Sequence, residues 1–459
     1  MVIKVGSYGP RKAFEVEIGS EDLVTPSGLE FVGTVLNKTN LRSEAGSILV
    51  NEGNKDIKTG DCIAALIGLL CQGKTSYEDV REMIENPGFF SFALGNARIP
   101  SAEALRQRLD EIGDAFDKSE IAQNTVVSIL KAFDVRIEPV STGHLPVDCD
   151  VSPHDNSKTK KEGIGWTYKG FFGYSPIYAY LGRHMINCEF RNGEQHSQKN
   201  AVGFFEQTIR FCREVTDKPL LFRLDSGHDA ADNVRLFVKS EGVDYIIARN
   251  LRSETSEQWL RIAQNTEGVL VTEPREGKTV YVGSTYGVNF GQEQIEGCEK
   301  ERIVFEVTVR QYKKDGQMFL IPEIEVSTWR TSLGSKVSDS EIIQLYHQHA
   351  VCEQFHSELK TDIGLERFPS GKRATNAAVL KIAMIAFTIL RLIGEVSLLV
   401  GTSKQRHDVS RIRLITVMKR FIFIASRVVH HAKKMILKLG RRDYWRFDFI
   451  RIHKYFAAI

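Results

Sequence analysis

Four acidic residues stand where the chain could bring carboxylates together. In Leu145-Pro146-Val147-Asp148-Cys149-Asp150, a strand's alternation puts Leu145, Val147 and Cys149 on one face and Asp148 and Asp150 on the other. Asp225 closes the apolar run Leu220 to Leu224 and opens Asp225-Ser226-Gly227. Glu353 sits in a helix-like segment where Tyr346, His349, Glu353, His356 and Lys360 fall within a stripe roughly 80° wide. Carboxylates gathered without matching cations repel one another unless a divalent ion binds. Oxygen ligands of this kind suit Mg2+ or Mn2+. Two such ions about 4 Å apart activate a water or hydroxyl and stabilise the leaving oxygen of a phosphodiester. Each acid also has an ordinary use, since Asp at a strand end makes turns and a helical Glu pairs with its neighbours.

The elements that must position these residues can be read in outline. After the strand Leu145 to Asp150 come Tyr174 to Leu181, a tight turn at Gly182-Arg183, and Met185 to Phe190. An amphipathic helix, Ser197 to Val215, leads to the strand Leu220 to Leu224, a helix Asp229 to Lys239 and a strand Tyr245 to Ala248. Three strands, helix, strand, helix, strand is the order of a ribonuclease-H-like α/β core, and ligands of open α/β sheets collect at strand ends. Residues 251–335 read as mainly β, with a hairpin turning at Lys313-Lys314-Asp315-Gly316-Gln317. A long helix is expected from its N-cap Asp339 to about Lys360, with more helices to about 435.

Ahead of this core, residues 1–55 have strand-and-loop character and 57–135 turn helical. Ile63, Leu66, Ile67 and Leu70 mark one helix, Tyr77 to Glu85 a second that Asn86-Pro87-Gly88 stops, and Leu105, Leu109 and Ile112 a third opening at Pro100-Ser101. Such helices form either a helix-turn-helix-like DNA-binding unit or a cap on the main domain. The expected fold is therefore α/β: a ribonuclease-H-like mixed sheet with flanking helices, a β-rich insertion, a helical N-terminal domain and a basic helical C-terminal segment. The expected division is 1–140, then 141–250 with 336–400 as the catalytic domain around an insertion at 251–335, and 401–459.

The composition of the 459 residues, 42% hydrophobic and 26% charged, excludes a disordered, collagen-like or small disulfide-stapled chain. The net charge of +3 hides an asymmetry: residues 401–459 hold 15 Lys and Arg against 3 Asp and Glu, a local +12 beside a body at −9. Phosphate contact with counterion release explains this better than a membrane-surface helix. Its cations include Lys404, Arg406, Arg411, Arg413, Lys419, Arg420, Lys433, Lys434, Arg441 and Arg442, interleaved with Phe421, Phe423, Tyr444 and Trp445. Seven scattered cysteines, at 62, 71, 149, 188, 212, 298 and 352, suit a reducing cytoplasm rather than a disulfide framework. Met1 to Pro10 carries no apolar stretch of signal-peptide length. Ala377 to Val400 is apolar but interrupted by Lys381, Arg391 and Glu395, which points to a buried core helix and no membrane span.

Two local motifs compete. Gly68-Leu69-Leu70-Cys71-Gln72-Gly73-Lys74-Thr75 matches the phosphate-loop pattern, but that loop must follow a buried strand, and here a helical period runs through Leu70. A helix C-terminus turning at Gln72-Gly73 fits better than a phosphate-loop ATPase. His347, His349, Glu353 and His356 lack the order of a zinc motif.

Asp150-Val151-Ser152, Leu224-Asp225-Ser226-Gly227 and Tyr346-x2-His349-x3-Glu353-x6-Lys360 resemble the three catalytic segments of DDE transposases of bacterial insertion sequences. More narrowly, they resemble the group with a Tyr-x2-Arg-x3-Glu-x6-Lys signature. Tyr174-Ser175-Pro176 and the stretch from Arg367-Phe368-Pro369 to Asn376-Ala377-Ala378 also resemble it. The separation of 128 positions from Asp225 to Glu353 matches that group's β-rich insertion. His349 stands where the signature has Arg, which weakens a phosphate contact there. The resemblance implies a metal-dependent enzyme, using two Mg2+ or Mn2+ ions, that cuts double-stranded DNA at its element's terminal repeats and joins the 3′ hydroxyl to target DNA. It implies Asp150, Asp225 and Glu353 as catalytic ligands, with Asp148 an alternate for the first. It further implies DNA contacts by Tyr346, His349, Lys360 and Arg223, a homodimer on paired ends, and a cytoplasmic, nucleoid-associated location. An inert DNA-binding protein would share the salt-sensitive binding without the cleavage.

Overall fold

Pairing around the strand Leu145–Val151 sets the frame of the molecule, seen here in a computed structural model that describes residues 18–286, 301–313, 317–402, 409–431 and 434–459. Leu145–Val151 pairs antiparallel with Ile177–Leu181 and parallel with Leu220–Leu224, which pairs parallel with Val243–Ala248. Ile177–Leu181 turns through Gly182, at φ 61°, into His184–Glu189. That left-handed backbone is readily adopted by glycine. All five residues of Leu220–Leu224 are buried, as expected for a central strand covered on both faces.

The insertion continues this sheet. Leu270–Arg275, Lys278–Tyr286, Arg302–Tyr312 and Met318–Thr331 run antiparallel, and the last joins Val243–Ala248 through Trp329 opposite Ala248, giving nine strands in all. Arg330 locks the junction: Nη1 donates to Asp229 Oδ1 at 3.0 Å and Nε to Glu301 Oε1 at 2.7 Å. A helix, Ser256–Asn265, departs from the mainly β expectation. It opens on a capping box between Thr255 and Gln258 and buries Trp259 and Ala263 against the new strands. The Lys313 N–H donates to the Gln317 carbonyl at 2.8 Å across the expected hairpin, whose Lys314, Asp315 and Gly316 lie outside the described residues.

Arg373–Val400 is the structural axle. It is long and apolar enough to cross a membrane, yet its most apolar window is entirely buried. It packs among Ala102–Lys118, Ile121–Ala132, Thr59–Leu70, Arg446–Ala458 and the strand His184–Glu189. Each of its charged interruptions finds a partner inside: Lys381 donates to the Ser119 carbonyl, Arg391 pairs with Glu358, and Glu395 meets His184. The first and last parts of the chain share one apolar core with it.

Three stretches differ from the sequence reading. Leu29–Leu36 and Leu41–Gly46 are helices where strand and loop were expected. Leu29, Phe31, Val32, Val35 and Leu36 are all buried, and only Glu30 and Thr34 are partly exposed, a polar stripe too narrow to mark an amphipathic period. Asn86 ends the second helix but also caps a new one, Pro87–Leu94, its side chain accepting from the Phe89 N–H at 3.3 Å. The C-terminal segment is only partly helical. Leu414–Val417 runs into a wide π turn, Met418–Ile422, and the hairpin Ser426–His431 with Lys434–Leu439 then pairs with Leu23–Val24 before the last helix. Val428 and Val429, β-branched, favour the pleated surface.

The stretch after the insertion is helical but not one regular helix. Ser338, not Asp339, caps it, accepting from the Glu341 N–H at 3.2 Å. Asp339–His347 tightens into a 3-10 turn at Gln348–Ala350, resumes as Val351–Ser357, and widens into a π turn at Glu358–Asp362. That π turn is stitched to the C-terminal segment: buried Glu358 accepts from Arg391, from Arg411 at 2.6 Å and from the Leu414 N–H at 3.1 Å. Breaking a buried pair by removing one partner strands a charge. Glu358→Ala should therefore lower unfolding free energy by about 3 kcal/mol or more in urea denaturation, and a loss below about 1 kcal/mol would contradict this role.

Candidate active site

The parallel register between Leu145–Val151 and Leu220–Leu224 builds the site. It sets Asp148 opposite Arg223 and Cys149 opposite Leu224, so one step further Asp150 stands beside Asp225. Neighbouring strands lie about 4.8 Å apart, and positions two apart share a face. One strand therefore presents Asp148 and Asp150, and the other Arg223 and Asp225, on the same side of the sheet. The inner pair is complementary and the outer pair is two like charges.

The inner pair is closed. Arg223 Nε donates to Asp148 Oδ1 and Nη2 to Oδ2, both at 2.7 Å, while Nη1 donates to the Leu345 carbonyl at 2.9 Å. His349 Nδ1 lies 2.9 Å from the same Asp148 Oδ1. Burial alone would raise Asp148, but Arg223 and His349 outweigh it and hold the carboxyl below its ordinary value. Burial alone would lower His349, but Asp148 raises it above the usual imidazole value. Asp148, the alternate first ligand, thus has both oxygens engaged. Arg223 is 3% exposed with its guanidinium engaged, and buried His349 is held the same way, so these two expected phosphate contacts hold Asp148 instead.

The outer pair is open. Burial and the charge of Asp225 push Asp150 up to about 6. Burial also raises Asp225, and its Oδ1 is buried with no hydrogen-bond partner among the described residues. His356 Nδ1 lies 3.6 Å from Asp150 Oδ2. Burial and the charge of Lys360 keep His356 well below the ordinary value, so it is neutral and does not cancel the charge. Tyr178 and Tyr180 wall His356 at ring distances of 5.2 and 5.7 Å.

The helical stretch 339–362 covers the pair without delivering every residue to it. The hydroxyl of Tyr346 is raised by burial and by the charges of Asp225 and Asp150. Lys360, half-buried, donates to the Pro153 carbonyl just past the first strand. Glu353 is exposed, and no three His, Cys, Asp or Glu side chains among the described residues form a group that could hold one ion. Tyr346, His349, His356 and Lys360, on both sides of the 3-10 turn, lie against the carboxylates or the end of the first strand, and Glu353 alone of the expected stripe is exposed.

Tyr168 and Lys169 escaped the sequence reading. The Tyr168 hydroxyl donates to the Val151 carbonyl at 2.8 Å, and burial with the charges of Asp150 and Asp225 raises it. Lys169 draws Asp150 downward. The available signal was an aromatic and basic run, Trp166-Thr167-Tyr168-Lys169, between Gly165 and Gly170 soon after the first Asp.

The competing motifs resolve simply. Gly68 lies inside the helix Thr59–Leu70, where a Cβ would come 3.2 Å from the Leu94 methyls, and Gly73 turns the chain at φ 71°. A helix and not a strand feeds this loop, and Lys74 is engaged with Glu82. In the basic segment, Arg411 pairs with Glu358, Arg413 with Asp362, and Arg420 lies 4.1 Å over the Trp445 ring. Lys419, Lys434, Arg441 and Arg442 are exposed, and Lys404, Arg406 and Lys433 lie outside the described residues, as do Cys298 and Met1 to Pro10. The six other cysteines are free and buried.

A group raised in the folded state contributes stability that is complete below its unfolded value and is lost as pH rises through the folded one. For His349 that window opens above about 6.5. NMR titration of the His349 ring should give a midpoint above about 6.5, falling in Asp148→Asn, where only the charge of Asp150 still opposes burial and Arg223. A midpoint below about 6.5 in the unaltered chain would overturn the pairing.

The chain matches the family described as transposase DDE domain group 1 over residues 22–456. No curated protein matches it. Among solved structures, piggyBac transposase in a synaptic complex with hairpin DNA is similar over 81% of this chain and 77% of that one, at 10% identity and a TM-score of 0.34. With the family match spanning nearly the whole sequence, this chain belongs to the DDE transposases.

Proposed function

We propose that this transposase cuts DNA at the ends of its own element and transfers the freed 3′ hydroxyl into target DNA, with Asp150, Asp225 and Glu353 as the catalytic carboxylates. One observation carries the reading: Asp150 and Asp225 meet at adjacent strand ends, Asp150 raised to about 6 and Asp225 Oδ1 without a partner among the described residues. Neither forms an ion pair with Lys or Arg among the described residues. Two oxygen donors held against their own repulsion fit a hard divalent cation, Mg2+ or Mn2+. Asp150 and Asp225 would hold it, and Glu353, exposed and outside their group in this structure, is proposed as the third ligand from its place in the motif alone. Bound there, one or two such ions supply the charge that activates the attacking oxygen and stabilises the leaving one.

The remaining roles belong to the chain itself. Asp148, Arg223 and His349 fix the strand ends from behind. Tyr346 and Lys360 border the pair and are the proposed phosphate contacts. The order of the core, three antiparallel strands followed by two parallel ones with intervening helices, supports a ribonuclease-H-like catalytic fold extended by the insertion. The N-terminal helices and exposed C-terminal cations are proposed to hold double-stranded terminal repeats, in a homodimer on paired ends of a bacterial insertion sequence.

The test uses DNA carrying the sequences that flank the reading frame, with Mg2+ or Mn2+. Asp150→Asn, Asp225→Asn and Glu353→Gln should each cut cleavage on the order of a thousandfold or more while DNA affinity stays. Wild-type nicking by Asp225→Asn removes the metal-site reading, and wild-type nicking by Glu353→Gln alone removes that residue from it. Lys360→Ala should weaken end binding, and unchanged binding and cleavage would remove its phosphate contact.

A further inference from the structure

Beside the carboxylate pair, residues 154–174 form a small sheet, with Phe172–Tyr174 pairing both His154–Asp155 and Gly165–Trp166. Its inner side is pinned. His154 is fully buried between the Leu365 carbonyl at 2.7 Å and the Tyr178 hydroxyl at 2.6 Å, and the Tyr174 hydroxyl donates to the Glu162 carbonyl at 2.7 Å. Its outer side is unusual for a protein surface. Trp166 is 58% exposed, Tyr168 65% and Phe172 50%, three large rings within seven residues. Trp166 and Phe172 stand edge to face with ring centres 5.1 Å apart. Tyr168 is tied by its hydroxyl to Val151, the residue after Asp150, so this surface is fixed at the mouth of the site.

The same segment carries exposed Lys158, Lys160 and Lys169, the last with its ammonium 6.0 Å over the Tyr168 ring. Clustered exposed apolar rings mark an interaction surface. A partner for rings interleaved with ammonium groups needs flat π faces and negative charge together. Nucleotides supply both, but a duplex shows its phosphates and hides its base faces. Unpaired nucleotides show both, and base stacking on aromatic side chains tolerates any sequence.

Resting on the reading of the chain as a DNA-cutting transposase, we infer that Trp166, Phe172 and Tyr168 form a stacking platform for unpaired nucleotides beside the cut, with Lys158, Lys160 and Lys169 holding their phosphates. The platform gives the strand a resting place next to Asp150 once its bases leave the helix, and so positions substrate without taking part in bond breaking.

The experiment uses the full chain with EDTA, so that binding is read apart from cleavage. The probes are a fluorescent oligothymidylate of about 12 nucleotides, within the span such sites cover, and a duplex of the same length. The double variant Trp166→Ala/Phe172→Ala should bind the single strand about tenfold or more weakly while duplex affinity changes less than about twofold. Trp166→Tyr, which keeps a ring, should retain most of the affinity. Because both altered side chains are exposed, the melting temperature should stay unchanged, which checks folding. Unchanged single-strand binding by the double variant would overturn the inference, and so would an equal loss on single strand and duplex. A shift in oligomeric state with DNA binding intact would give the patch to a second copy and also overturn it. Cleavage by Asp225→Asn bears on the carboxylate reading alone, so the two can fail separately.

Discussion

Everything at the site depends on the register of two parallel strands. Sliding Leu220–Leu224 by one residue against Leu145–Val151 would turn Arg223 and Asp225 to the opposite face and leave Asp148 buried without its cation. The observed register does two things at once. It neutralises Asp148 with Arg223 and His349, and it forces Asp150 against Asp225. A buried ion pair of this kind contributes specificity of alignment as much as stability.

The second dependence is on the helix Arg373–Val400. It is too apolar to face water, and the chain covers it from both ends: helices from before residue 140 lie on one side and the last helix, Arg446–Ala458, on another. Phe31 touches both Phe449 and Phe456, at ring distances of 4.4 and 5.7 Å. The basic segment therefore divides its labour. Arg411 and Arg413 brace the π turn through Glu358 and Asp362, while neighbours such as Arg441 and Arg442 are exposed. A +12 segment is thus partly scaffold and partly surface.

Much of the core was legible in the sequence because its signals are local. Alternation marked Leu145 to Asp150, an apolar run ending in Asp marked Leu220 to Leu224, and a glycine marked the turn at 182. The pairing of Asp148 with Arg223 was not legible, since it needs the register of strands 75 residues apart. The break at Gln348–Ala350 was hidden because a 3-10 turn has no residue signature here, and the exposure of Glu353 could not be read from a stripe whose four other members lie at the site. The C-terminal hairpin was masked by its lysines and histidines. The helix Ser256–Asn265 was readable from Thr255 and Gln258, whose capping box stood among strand-like neighbours. Tyr168 was missed because nothing local to it says that its hydroxyl reaches back to Val151.

The most direct test of the convergent pair is Mn2+ binding to the metal-free full chain, followed by calorimetry and electron paramagnetic resonance. Asp150→Asn and Asp225→Asn should each weaken Mn2+ affinity by about tenfold or more, because each removes one of two facing oxygen donors. Asp155→Asn, altered at a carboxylate that caps the Ser157 N–H instead, should bind as the unaltered chain does. Identical isotherms for all four proteins would contradict the claim that the strand register builds a cation site.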